Sequence, residues 1–254
     1  GKPVERAGAG DNVEIIVNQT PFYAESGGQA GDAGVVKSES GARIVIEDTK
    51  KRVNALHGHI GKIEKGSISV GDAVTLSIDV PRRNRIRANH SVTHLVHAAL
   101  REVLGDHVAQ KGSLVAEDRM RFDITNPKAI SASEISEVER RVNAVIRQNT
   151  KVDTRIMSYD DAVKSGAIAL FGEKYDDDVR VLTMGQSLEG DDKPYSVELC
   201  GGTHVRDLGD IALFKIVGES AVSAGVRRIE AVTGEAARLY LENQATLARS
   251  ASEI

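Results

Sequence analysis

Two pairs of side chains, far apart in the chain, constrain this sequence more than any other feature. They are His90 with His94, and Cys200 with His204. Residues at i and i+4 of a helix lie one turn apart on the same face, so two imidazoles so spaced can reach one ion. In the second pair the cysteine and histidine flank Gly201, Gly202 and Thr203, and the two glycines let the backbone bend tightly. Thiolate and imidazole are the ligands zinc prefers, and four of them complete a tetrahedron. The expectation is one zinc ion held by His90, His94, Cys200 and His204. Any fold that satisfies it must bring position 90 to position 200.

A closed set of four protein ligands is usual for structural zinc, whereas catalytic zinc keeps a position for water. Two readings stay open. Either the ion organises a pocket, or one ligand, with Cys200 the first candidate, yields to water or substrate. His97, three residues beyond His94, is read as packing or as support for a ligand; His57 and His59 are assigned to a loop.

The 254 residues suffice to bury a sizeable core. With no Trp and 4% aromatic residues, that core must rest on Val, Ile, Leu and Ala. A lone cysteine excludes an intramolecular disulfide, which fits a reducing compartment. No stretch approaches the roughly 20 apolar residues that span a bilayer. A cytoplasmic protein without membrane contact is expected. The net charge of −4 argues against nucleic-acid binding by overall charge. Between Arg82 and Arg121, however, basic residues outnumber acidic ones by four, so a phosphate-facing patch on an acidic background is weighed against a solvated face.

The hydrophobic pattern predicts an α+β chain. Short β-rich runs (13–17, 35–36, 43–46, 74–78) separated by glycines suggest a small β-barrel over residues 1–82, with Pro81 at the boundary. A core with helices and antiparallel sheet is expected over 83–234. Within it, Val92, Leu95, Val96, Ala99, Leu100 and Val103 predict a helix over 85–103, ended by Gly105. A second helix is expected over 133–148 with Ser131 and Glu134 as a capping box, and a short one over 159–164. Strands are expected at 179–184, 195–199, 212–217 and 226–232, and a C-terminal helix over 235–254. That helix, and a start on Gly rather than Met, suggest a piece of a longer parent.

Four blocks then carry a resemblance: residues 20–29 (TPFYAESGGQ), 90–95 (HSVTHL), 110–115 (QKGSLV) with 121–123 (RFD), and 198–205 (ELCGGTHV). Residues 169–175 and 227–231 are further signatures. On these, the chain resembles the editing domain of the alanyl-tRNA synthetase family. The resemblance implies hydrolysis of the ester in Ser-tRNA(Ala) and Gly-tRNA(Ala). Its partners would be the acceptor stem and 3′ end of tRNA(Ala) and the rest of a parent synthetase. A freestanding editing protein acting in trans, the related threonyl editing domain and a non-catalytic zinc-dependent tRNA-binding module are the alternatives; the 20–29 block and the β-rich first third argue against the threonyl one.

Residue roles follow from the resemblance as expectations. Thr93, Gln110 and Cys200 are the catalytic candidates, Thr93 and Gln110 matching positions beside the family's editing pocket. Without the resemblance they would read as a helix-surface Thr and a loop Gln. Gly27, Gly28 and Gln29 are expected to line the pocket. Asp123 either orients a neighbour or pairs with Arg119 or Arg121. Arg82, Arg83, Arg85, Arg87, Lys111 and Arg227 are the candidate tRNA contacts. Ala33 stands where relatives often carry Thr, so another donor, such as Thr93, would have to recognise a seryl hydroxyl.

Overall fold

A computed structural model describes residues 2–169 and 176–252, and the chain divides into two units, 1–84 and 85–254. The 169–175 signature falls almost wholly outside the described residues.

The first unit is built from β1 (Arg6–Gly8), β2 (Asn12–Ile15), β3 (Gly34–Ser38), β4 (Arg43–Lys51), β5 (His57–Lys65), β6 (Ser67–Ser69) and β7 (Val74–Ile78). Five of these form an antiparallel sheet in the order β2-β5-β4-β3-β7, and β1 pairs with β6 as a separate ribbon. Alternation on β4 buries Ile44 and Ile46, which join Val36, Ala42 and Ile63 in the core. The expected small barrel is not closed among the described residues, because β2 and β7 remain the sheet's two edges. Phe22, from the long β2–β3 connection, joins the same core, so a side chain rather than strand closure completes it. His57 and His59 lie in β5 rather than in a loop.

Helix α1 (Val80–Leu104) begins at Val80 instead of position 85, with Pro81 inside its first turn. A proline is tolerated there because the first-turn N–H groups have no intrahelical partner. Gly105 ends the helix at φ 115°, its N–H donating to the Arg101 carbonyl.

The second unit continues with β8 (Gln110–Val115), β9 (Met120–Thr125), α2 (Ala132–Arg147), β10 (Asp153–Ser158), α3 (Tyr159–Lys164), β11 (Asp178–Gln186), β12 (Pro194–Leu199), β13 (Phe214–Ser223), β14 (Val226–Thr233) and α4 (Gly234–Ser252). A four-stranded antiparallel sheet runs β13-β14-β9-β8, and a three-stranded one runs β10-β11-β12. The core gathers Val92, Leu95 and Leu100 of α1 with Phe122 of β9, Val142 of α2 and Ile229 of β14. The Ser131 capping box at the start of α2 forms as expected. Ala212 is not in a strand: it sits at φ 63° after a 3-10 turn (Leu208–Ile211), and β13 starts at Phe214.

Candidate metal centre

Burying the apolar stripe of α1 fixes the direction of its neighbouring face. His90 and His94 lie on that face and are buried, with rings stacked at 5.3 Å between centroids. The bend after β12 brings Cys200 and His204 to meet them. One ligand atom from each of the four residues lies within 4.8 Å of every other. Cys200 Sγ is 3.6 Å from His90 Nε2 and 3.2 Å from His204 Nε2. A tetrahedron with zinc–nitrogen and zinc–sulfur bonds of ordinary length has edges of about 3.3–3.6 Å.

The surroundings orient these groups. His94 donates from Nδ1 to Glu198 Oε2 at 2.6 Å, and His97 donates from Nδ1 to Oε1 of the same carboxylate at 2.9 Å. An ionised carboxylate only accepts, so it fixes the His94 ring with Nδ1 as the donor and leaves Nε2 as the atom available to a metal. That Nε2 is buried and has no hydrogen-bond partner among the described residues. An orphaned buried nitrogen of this kind is what a metal ion satisfies. Ser91 does for His204 what Glu198 does for His94: its Oγ lies 3.2 Å from His204 Nδ1 and also accepts the Val205 N–H at 3.1 Å.

Charge follows the same logic. Burial alone would raise the Cys200 thiol, but His90, His94 and a hydrogen bond with His204 hold it well below its usual range. Burial likewise opposes ionisation of Glu198, yet His94 and His97 keep it below the ordinary carboxylate value. Burial, then His90, push His204 down to about 3, so it presents a neutral imidazole. Burial would also lower His94, but Glu198 and Cys200 outweigh it and raise it. A buried carboxylate and a half-buried thiol held toward its thiolate form therefore flank His94 and call for positive charge among the ligands. The residues present fit a metal ion.

The bend itself differs from expectation. Neither Gly201 nor Gly202 has a positive φ, and a Cβ at Gly201 would meet nothing within 4 Å. The turn is held by hydrogen bonds instead. Gly202 N–H donates to Cys200 Sγ at 3.4 Å, Arg180 Nη1 donates to the Gly202 carbonyl, and Cys200 N–H donates to the Arg180 carbonyl.

The other predicted residues are placed as follows. Thr93 is buried rather than on the helix surface, its hydroxyl donating to the Asn89 carbonyl at 2.8 Å. Gln110 heads β8 rather than lying in a loop, next to a register shift at Lys111. Asp123 forms a two-pronged ion pair with Arg228 at 2.7 and 2.8 Å; Arg121 Nε is 3.9 Å away. Gly27 and Gly28, at φ 56° and 82°, form the tight turn between Ser26 and a fully buried Gln29 in the first unit. Both conformations are ones L side chains rarely adopt.

Of the six basic candidates, Arg83 is buried against Asp32, Arg82 donates to the Gly31 carbonyl, Arg85 pairs with Glu117, and Arg227 grips Glu219 at 2.5 and 2.6 Å. Arg87 is half-buried and Lys111 exposed. Glu198 and Ser91, which orient the His94 and His204 rings, lie outside the ligand spacing pattern. The signal for Glu198 is an acid inside the expected strand 195–199, two residues before Cys200.

Residues 1–82 match the family model described as tRNA synthetases class II (A). Residues 179–230 match the model described as threonyl and alanyl tRNA synthetase second additional domain. An alanine--tRNA ligase of Sphingopyxis alaskensis is 63% identical over 96% of this chain and 27% of its own length. Those of Mesorhizobium japonicum and Parvibaculum lavamentivorans are 60% and 58% identical, over 96% and 99% of the chain and 28% of each relative. The chain thus spans about a quarter of the length of the curated relatives it matches, and on these matches it is related to the alanine--tRNA ligases.

Proposed function

We propose that this chain hydrolyses the ester of Ser-tRNA(Ala) and Gly-tRNA(Ala), an editing reaction on mischarged tRNA, with a zinc ion held by His90, His94, Cys200 and His204. The observation that carries this reading is the convergence of four ligand atoms within 4.8 Å on a scaffold related to alanine--tRNA ligases. The chemical need is plain. A synthetic site shaped for Ala cannot exclude Gly, since one methylene is worth roughly 1–3 kcal/mol, and it rejects Ser, which merely adds a hydroxyl, little better. A second site that hydrogen-bonds the seryl hydroxyl discriminates far more strongly, because correct Ala leaves its polar groups unpaired.

Zinc at this centre would supply Lewis-acid polarisation of the ester carbonyl or of water. The chain's own groups do the rest. Glu198 and Ser91 hold the His94 and His204 rings at Nδ1, which leaves Nε2 of each as the atom that would hold the ion. Thr93, buried on α1 between His90 and His94, offers a hydroxyl oxygen whose proton is committed to Asn89, so it accepts a hydrogen bond from a seryl hydroxyl or a substrate amine. Gln110 supplies an amide that donates to developing oxyanion charge. Ester cleavage expels an alkoxide that needs less help than an amine, so the reaction proceeds without a Ser/His/Asp triad. The substrate partner in this reading is the acceptor stem and 3′ end of tRNA(Ala).

Incubation with Ser-tRNA(Ala) and Ala-tRNA(Ala), with and without chelator, tests it. The seryl ester should be lost selectively and only with metal present. Equal persistence of both esters in the metal-loaded protein would rule the reading out.

A further inference from the structure

Within the second unit, a cleft of about 430 Å³ opens beside the metal centre, with His204 in its wall. Three cations line it: Lys151, Arg180 and Arg206. Only Asp207 opposes them there, and among the described residues no carboxylate forms an ion pair with any of the three. Arg180 spends Nη1 on the Gly202 and Cys200 carbonyls, which anchors the guanidinium next to the ligand bend. Arg206 is pinned through its backbone, its carbonyl accepting the Val152 N–H at 2.9 Å, so its exposed side chain projects from a fixed base. Its field reaches further: burial first, then Arg206, push the Arg87 guanidinium below its ordinary range. Like charges gathered around a cavity without matching acids repel one another and are relieved by an anion.

We propose that this cleft seats a backbone phosphate from the single-stranded 3′ end of an aminoacylated RNA, with Arg206, Arg180 and Lys151 as its counter-charges. The identity of that RNA rests on the editing reading above. The scissile ester is on the terminal ribose, one sugar from the nearest backbone phosphate. An anion site bordered by the metal ligand His204 therefore grips the strand next to the bond to be cut. Such contacts position the strand without reading its bases.

The test compares wild type with Arg206→Ala, Lys151→Ala and Arg206→Lys. Binding of uncharged tRNA, and of the same tRNA lacking its last three nucleotides, is measured by fluorescence anisotropy across a salt series. Zinc content is measured in parallel. Each Ala variant should keep its zinc, weaken binding of intact tRNA about tenfold and reduce the slope of log K against log salt by about 1. Binding of the truncated RNA should be unchanged, and Arg206→Lys should restore most of the loss. Where the seryl ester is turned over, KM should rise about tenfold with kcat within about twofold.

Unchanged affinity and salt slope would overturn the proposal, and so would equal weakening with the truncated RNA. A site for free anion only would also overturn it: inorganic phosphate would then bind through Arg206 while RNA affinity stayed the same in every variant. If wild type left the seryl ester intact but the contrast between intact and truncated RNA held, the editing reading would fail and the phosphate site would stand.

Discussion

Glu198 bridges His94 and His97, taking a hydrogen bond from Nδ1 of each at 2.6 and 2.9 Å while almost fully buried. A buried carboxylate shared by two imidazoles fixes one ligand ring through a contact that touches no metal. Glu198→Gln keeps the shape but removes the charge. Loss of such a support typically costs 10–100-fold in metal affinity. Competition with a chromophoric chelator should show a fall of about that size, with one zinc still bound at saturation. Unaltered affinity would remove Glu198 from the site.

Metal removal should loosen the second unit without unfolding it. Its core of Val92, Leu95, Leu100, Phe122, Val142 and Ile229 is apolar throughout, and of the four ligands only Cys200 packs against it. Chelator should therefore lower Tm while far-ultraviolet circular dichroism stays near native. Cys200→Ser and His204→Ala should behave like chelated wild type, with elemental analysis reporting no stoichiometric zinc. Global unfolding on chelation would show that the ion, not the apolar core, holds this unit.

Thr93→Val keeps the buried volume and removes the hydroxyl. Its effect should fall on seryl rather than glycyl ester, at least tenfold in kcat/KM, because only Ser offers a hydroxyl to match. Gln110→Ala should slow both esters alike, roughly 10²–10³-fold, on the role proposed for its amide as an oxyanion donor. Both variants should retain zinc.

Arg83 reads in sequence as part of a basic cluster, yet its Nε donates to Asp32 Oδ1 at 2.7 Å and Nη2 donates to the Pro21 carbonyl at 3.0 Å. Asp32 Oδ2 also accepts the Tyr23 N–H at 2.6 Å. Breaking a buried pair by removing one partner leaves an uncompensated charge, at about 3–5 kcal/mol. Asp32→Ala should lower stability by that order in denaturant titration. The salt dependence of RNA binding should not move, which separates this cation from those that meet phosphate.

The Ser131 hydroxyl and backbone N–H both donate to Glu134, and hold its carboxyl below the ordinary 4.5. In the folded chain that group takes up its proton less readily than in the unfolded chain. Its contribution is therefore present above the ordinary value and lost as the pH falls through the lowered one. Ser131→Ala should destabilise at about pH 7, and the difference from wild type should shrink at about pH 3. A difference independent of pH would leave only the neutral cap.

Where local pattern and tertiary contact agreed, sequence was readable. The α2 helix declared itself through its capping box and apolar stripe, and the ligand spacing on α1 anticipated His90 and His94. What escaped depended on partners distant in sequence. Gln110 gives no strand signal of its own; it joins β8 because β9 pairs with it. Asp123 has two arginines close by in sequence, but β14 delivers Arg228 across the ladder instead. A run of arginines at 82–87 suggested one surface, yet burial turned Arg83 inward. The barrel expected from many short strands required β2 and β7 to meet, which no pattern within either strand encodes.

The bend from Cys200 to His204 is tied at both ends. Its first residue is fastened to β11 through the Arg180 carbonyl, and the residue after its last is fastened to α1 through Ser91 Oγ. The loop's length is thereby a fixed measure between two anchors. One residue inserted or deleted between the thiol and the imidazole would have no slack to absorb it, whereas a side chain added at Gly201 points into open space. Variation here is expected in what the loop presents to solvent and not in how many residues it contains.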